Sequence, residues 1–281
     1  MKQGFIRALW GIYNTEQRTK HRIWLDNDIN LCQINKYQIP YVTFVFGEDN
    51  YKQLQDKGIQ CFLVDKRPFV WDMVKEQYMH KIEVLKYGTQ LFDEMIFLDW
   101  DTLPIKEVPD DLWFKLSQKA PLQATLRQYY RNRISWESTD RRYVPSAAFI
   151  YIRDKDIPFH LEEIWKTIGK PWTEETVLRK YIEDNMKGWK GLDYYWNHYE
   201  PYCFTLEGGC KVFNDDLIKN KDICFKTYTK KMIRKILTEK GLTLSEDIHI
   251  SKEEQKKLRL QRIARRQKKF KRWRKQGKIG V

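Results

Sequence analysis

Asp99 and Asp101 sit in the run Met95-Ile96-Phe97-Leu98-Asp99-Trp100-Asp101-Thr102-Leu103-Pro104. Four apolar residues lead straight into two carboxylates with one tryptophan between them. In an extended strand, residues two apart point to the same side. The two acids are then presented together and Trp100 is turned away. Two ionised carboxylates at short range repel each other, and a divalent cation converts that repulsion into affinity. Oxygen-only ligation favours Mg²⁺ or Mn²⁺, ions that also bridge to phosphates. The plainer reading is that the pair caps a strand before a turn, where Asp is common. Its place directly after an apolar strand, itself preceded by a long helix, favours the metal reading.

The surrounding segments must place that pair. Residues 5–13, 41–47, 59–65, 94–101, 120–130 and 145–154 read as strands, with Gly47 stopping the second. Residues 70–91 have helical spacing, with Met73, Tyr78, Ile82, Leu85 and Tyr87 sharing a face and Gly88 near the end. Two further helices are expected in "PFHLEEIWKTI" and "TEETVLRKYIEDNMKGW", the second with Thr173 as N-cap and Glu174 and Glu175 in its first turn. Continuous apolar strands alternating with helices imply an α/β fold, a mostly parallel sheet covered on both faces. Ligands of such sheets bind beyond the carboxyl ends of the strands, where Asp99 and Asp101 fall.

The run His80–Pro104, "HKIEVLKYGTQLFDEMIFLDWDTLP", resembles the helix–strand–DxD core of GT-A fold glycosyltransferases, the family-8-like members above all. The resemblance implies a Rossmann-type fold and a nucleotide-diphospho-sugar donor. Asp99 and Asp101 would hold Mn²⁺ or Mg²⁺ against the diphosphate. Lys81 stands where the family has a Lys or Arg and would contact nucleotide or phosphate. The first strand and its loop would bind nucleotide, with Arg7, Trp10 and Tyr13 as base or ribose contacts; Trp100 joins this donor group. Core packing is the equal alternative for Trp10 and Tyr13. "VPSAAFIYIRD" resembles the acceptor-side strand, with Pro145-Ser146-Ala147-Ala148 in place of the usual Asn-Ser-Gly or Asn-Ala-Gly. The small Ser146 still allows a sugar to approach. "WTEETVLRKYI" resembles the Asp-Gln-plus-helix element and puts Glu174 and Glu175 where an acid would face the sugar. They are the candidate bases if configuration inverts, and otherwise first-turn acids favoured by the helix dipole. A third metal ligand often comes from a C-terminal His. Here His249 is the candidate, and the helix start that follows it, Ser251 with Glu254, points to a structural role.

The net charge of +14 is unevenly distributed. The last thirty residues carry 14 Lys/Arg and 2 Glu, net +12, leaving 38 Lys/Arg against 36 Asp/Glu elsewhere, net +2. The chain therefore reads as a domain over 1–251 and a basic helical tail over 252–281. Leu260, Ile263, Phe270 and Trp273 recur in that tail at near-helical spacing. It would bind nucleic acid phosphates, lie on an anionic membrane, or dock on the body as a solvated helix. "RQYYRNR" tilts the choice to nucleic acid: Tyr129 and Tyr130 interleave with Arg127, Arg131 and Arg133, a pattern for gripping a strand and stacking a base. The expected acceptor is a modified base in DNA, flipped out to meet the donor, as in viral and phage genomes. The other readings are a peripheral-membrane enzyme acting on a lipid-linked glycan, a nucleotidyltransferase (with only Gly11 in its first loop) and a non-catalytic nucleic-acid binder. Mean hydropathy is −0.71, and no run approaches a membrane span. The N-terminus, with Arg7 inside its apolar stretch, is not expected to be a signal peptide. Five scattered cysteines point to reduced thiols in a cytoplasm.

Overall fold

β1 (Gln3–Trp10) runs up the middle of a six-stranded sheet, its side chains buried on both faces from Phe5 to Leu9. The computed structural model describes residues 1–10, 39–66, 77–99, 102–104, 107–128, 143–168, 174–189, 191–192, 194–195, 203–204, 225–227, 230–242 and 260. Beside β1 lie β2 (Tyr41–Phe46) and then β3 (Cys61–Asp65), with α1 (Glu48–Asp56) between them in the chain. Gly47 makes the corner from β2 into α1 at a φ of 96°, a conformation glycine adopts at little cost. After β3 the chain crosses back through α2 (Gln77–Leu91) to β4 (Glu94–Leu98), on the other side of β1. The strand order therefore reverses between β1 and β4, and a crevice is expected at their carboxyl ends.

Next come β5 (Thr102–Pro104), α3 (Leu112–Ser117), β6 (Leu122–Gln128) and β7 (Tyr143–Ile152). The sheet order is β3-β2-β1-β4-β7-β6. Pairings from β3 to β4 are parallel, while β7 runs antiparallel to both β4 and β6. The sheet is thus mixed: five strands share one direction and β7 is reversed. A short second sheet, which apolar runs did not foretell, takes β5 with β8 (Tyr194–Tyr195), β9 (Cys203–Phe204) and β10 (Phe225–Thr227). Its strands are too short to leave a periodic pattern in the sequence.

Alternation along the strands sorts the core into two layers. Ile6, Ala8, Met95, Phe97, Ile150 and Ile152 face α2, α4 (Ile157–Thr167) and α5 (Glu174–Asn185). Phe5, Tyr41, Ile96, Leu98, Phe149 and Tyr151 face α3 and Phe225 of β10. Both faces are covered, as the apolar strands require. Leu103 packs on Ile233 and Leu237 of α6 (Lys230–Glu239). Among the described residues no helix is long and apolar enough to cross a membrane, and Cys61 is a free thiol. The chain divides into two units, Met1–Ser245 and Glu246–Val281. Of the second, which holds the basic run, Leu260 is described and exposed.

Most strand bounds fall within a few residues of expectation, and two differences matter. β4 ends at Leu98 rather than continuing through residue 101. In α2, Ile82 and Leu85 are buried as expected, but Tyr87 is 37% exposed. Its ring lies beside Phe44 of β2, centroids 6.0 Å apart, while Lys81 and Gly88 turn inward. Met73, Tyr78's side chain and Thr173 lie outside the described residues.

Gly88 is where α2 comes closest to the sheet. A Cβ there would stand 2.5 Å from Met95 Sδ and 2.6 Å from Ile6 Cδ1, both buried tips with little room to yield. Gly88→Val is expected to cost about 1–3 kcal/mol, despite the helix-propensity gain of losing a glycine. Urea unfolding should show a lower midpoint at unchanged slope.

Candidate functional site

Lys81 lies in the second turn of α2, on the face turned to the sheet, and is only 4% exposed. Its ammonium donates to Asp99 Oδ1 at 2.8 Å, to the Ala147 carbonyl at 3.2 Å and to Glu174 Oε1 at 3.0 Å. It also lies 5.1 Å from the centre of the Phe97 ring. An ammonium has three donors, and all three are engaged. One buried cation therefore ties together α2, the residue after β4, the middle of β7 and the first residue of α5.

Burial works against the charge on Lys81. The charges and hydrogen bonds of Asp99 and Glu174 outweigh it, and the pKa of Lys81 ends above the usual lysine range. The two acids are not equivalent. The Asp99 side chain is 32% exposed and that of Glu174 only 10%. Glu174 Oε2 is buried and has no hydrogen-bond partner among the described residues. Two carboxylates share one ammonium, so the group is one negative charge in surplus when both acids are ionised.

Backbone irregularity makes this possible. β6 and β7 pair Ala124 with Ile150 and then Thr125 with Ser146, so residues 147–149 bulge out of register. A bulge bends a strand and leaves ladder groups unpaired. Here Ala147 O takes the Lys81 ammonium and Ala148 O takes the Asp99 amide at 3.0 Å. Pro145, which has no N–H to give, sits just before it, as strand prolines do at bulges. This positioning role of the Ala147 and Ala148 carbonyls was missed from sequence. Its signal was present as a proline followed by three small residues inside an apolar strand.

β4 ends at Leu98, one residue before Asp99. The Thr102 amide donates to the Asp99 carbonyl at 2.9 Å, three residues back. Asp101 and Trp100 lie outside the described residues, as do Tyr13, Tyr129, Tyr130, Arg131, Arg133 and His249. Arg127 pairs with Val144 in β6, and Trp10 ends β1; their side chains are not among those described.

Arg7 is on the other face of the sheet from Lys81. It is buried at 6% exposure, donates from Nε to Thr43 Oγ1 at 3.1 Å and stacks 4.4 Å from the Tyr41 ring centre. Burial pushes the Tyr41 hydroxyl up to about 12, against a smaller opposing pull from Arg7. Arg7 and Lys81 therefore do not converge on one phosphate. Ser146 is fully buried, and its Oγ accepts a long 3.4 Å bond from the Ala148 amide. Its hydroxyl belongs to the bulge, not to an open surface. Glu175 is half-buried in the first turn of α5.

Lys81, Asp99 and Glu174 are thus brought together at the carboxyl end of β4, beside the reversal of strand order. Their oxygens are hard ligands suited to Mg²⁺ or Mn²⁺, and a cation entering from solvent meets Asp99 first. Among the described residues no cluster of three or more His, Cys, Asp or Glu forms a complete metal cage. No protein-family model matches the chain, and no curated protein does.

The stability that Lys81 contributes has a defined pH window. Its pKa is raised in the folded state, so the contribution is complete below about pH 10.4 and is lost as pH climbs through the higher folded value. Glu174→Gln should lower stability by about 1–3 kcal/mol, the range for a hydrogen bond to a charged group. Chemical unfolding at a series of pH values should find that gap constant from pH 7 to 10 and shrinking above it.

Proposed function

We propose that this chain is a metal-dependent glycosyltransferase that moves a sugar from a nucleotide-diphospho-sugar to an acceptor hydroxyl. One observation supports this most: the buried Lys81–Asp99–Glu174 group stands at the strand-order reversal, where an α/β sheet receives its ligand. The resemblance of residues 80–104 to GT-A fold enzymes names the same three positions, Glu174 through the helix element further on.

Asp99, the more open acid, would hold Mn²⁺ or Mg²⁺ together with Asp101. The bound cation supplies Lewis-acid stabilisation of the charge that gathers on the leaving diphosphate. Asp99 is held in place by the hydrogen bond its backbone N–H donates to the Ala148 carbonyl and by its ion pair to Lys81. Glu174 keeps a carboxylate oxygen unmatched inside the site, and Glu175 lies beside it as the more accessible candidate base. Bulk water is limited at Glu174 by its burial, which strengthens any charge interaction formed there.

Incubating the protein with Mn²⁺ and a panel of nucleotide-sugars should give slow hydrolysis of one donor, and transfer when the right acceptor is added. Asp99→Asn should reduce turnover on the order of a hundredfold or more, since several kcal/mol of charge stabilisation depend on the cation. A folded Asp99→Asn protein with undiminished turnover overturns the reading.

The acceptor class that the charge distribution favours is nucleic acid, with a modified DNA base as the site of transfer. The support is the net +12 of residues 252–281 and the Arg/Tyr run that starts at Arg127. Removing 252–281 should weaken DNA binding and flatten its salt dependence, leaving donor hydrolysis intact. If the truncated protein instead loses only its binding to anionic vesicles, the lipid-linked acceptor replaces DNA.

A further inference from the structure

Lys81 stands in the expected place for a phosphate-binding residue, yet its ammonium has no donor left over. The Asp99, Glu174 and Ala147 oxygens take all three, within 3.2 Å, and the residue is 4% exposed. A phosphate contact would require Lys81 to abandon a carboxylate in a buried site. That leaves an uncompensated charge, a strongly unfavourable exchange.

We propose that Lys81 and Glu174 form an internal ion pair whose summed charge sets the cation affinity of Asp99, and that Lys81 does not contact the diphosphate. This rests on the metal-dependent reading given above. Three geometric facts carry it. The ammonium touches the one exposed acid, so it opposes any cation at Asp99. Glu174 meets the same ammonium from the other side and offsets it. Both members of the pair are nine-tenths or more buried, where water screens them least.

The consequence is that the protein's own acids, without a donor, bind a divalent cation weakly. A cation is then retained mainly when a diphosphate adds its own oxygens, so metal and donor enter and leave together. Lys81 and Glu174 act here as tuning residues, with neither required to touch the cation.

The test uses the full chain with two probes: free Mn²⁺ counted by electron paramagnetic resonance, and inorganic pyrophosphate by calorimetry without metal. Lys81→Met should tighten Mn²⁺ binding by roughly tenfold or more, and Glu174→Gln should weaken it by a similar factor. The double variant Lys81→Met/Glu174→Gln removes one charge of each sign and should return within about threefold of the unaltered protein. It also avoids stranding two carboxylates, so it remains a test if Lys81→Met does not fold. Metal-free pyrophosphate binding should move the opposite way in each single variant and return to the unaltered value in the double variant.

A loss of metal-free pyrophosphate binding in the double variant, where the net charge is unaltered, would show direct phosphate contact by Lys81 and overturn the proposal. Mn²⁺ binding lost in the double variant overturns it as well, since one of the two residues is then needed in itself. Either result leaves the glycosyltransferase reading standing. An unaltered protein that binds no Mn²⁺, with or without pyrophosphate, overturns both.

Discussion

A single buried ammonium holds the site together. Lysine is rarely buried to this extent without partners, and here the partners come from three separate stretches of chain beyond its own helix. Removing the ammonium would leave two carboxylates facing each other in a poorly screened interior. The register of α2 against the sheet, the end of β4, the bulge in β7 and the start of α5 are therefore coupled through one nitrogen. Gly88, two turns further along α2, serves the same end by letting the helix backbone lie close enough for Lys81 to reach across.

The location follows from topology. β1 sends the chain out to β2 and β3 and back to β4, so adjacent connections diverge on opposite sides of one gap. Asp99 is the first residue beyond that gap. Its amide is used by β7 and its carboxylate by α2, which leaves the acid both anchored and partly open. Glu174 arrives from a different helix and stays covered. Two chemically similar side chains thus acquire different roles from their exposure alone.

Much of this was legible in the amino-acid sequence, and the reasons differ by element. β1, β2, β4 and β7 announce themselves because both faces are buried and their runs are continuously apolar. α2 was legible in its apolar spacing, which sends Ile82 and Leu85 into the core, but not in every position: Tyr87 fits that spacing, yet its ring lies against Phe44 and stays 37% exposed. The direction of β7 has no sequence signal, because an apolar run reads the same either way. Lys81 and Glu174 were picked out by resemblance to a known pattern; no spacing rule joins residues 93 positions apart. The pairing of Asp99 with Asp101 rested on an extended strand through residue 101; β4 ends at Leu98, and Asp101 lies outside the described residues. Ser146 was expected near the sugar because it is small, and it is fully buried at the bulge.

The reversal of β7 has a consequence at the rim of the sheet. β6 delivers the chain to the rim where Asp99 stands, and β7 starts back from that same rim. Changes of length or charge between Gln128 and Tyr143 leave the ladder of either strand untouched. The sequence there is free to vary while the buried Lys81 group and the strands that hold it stay put.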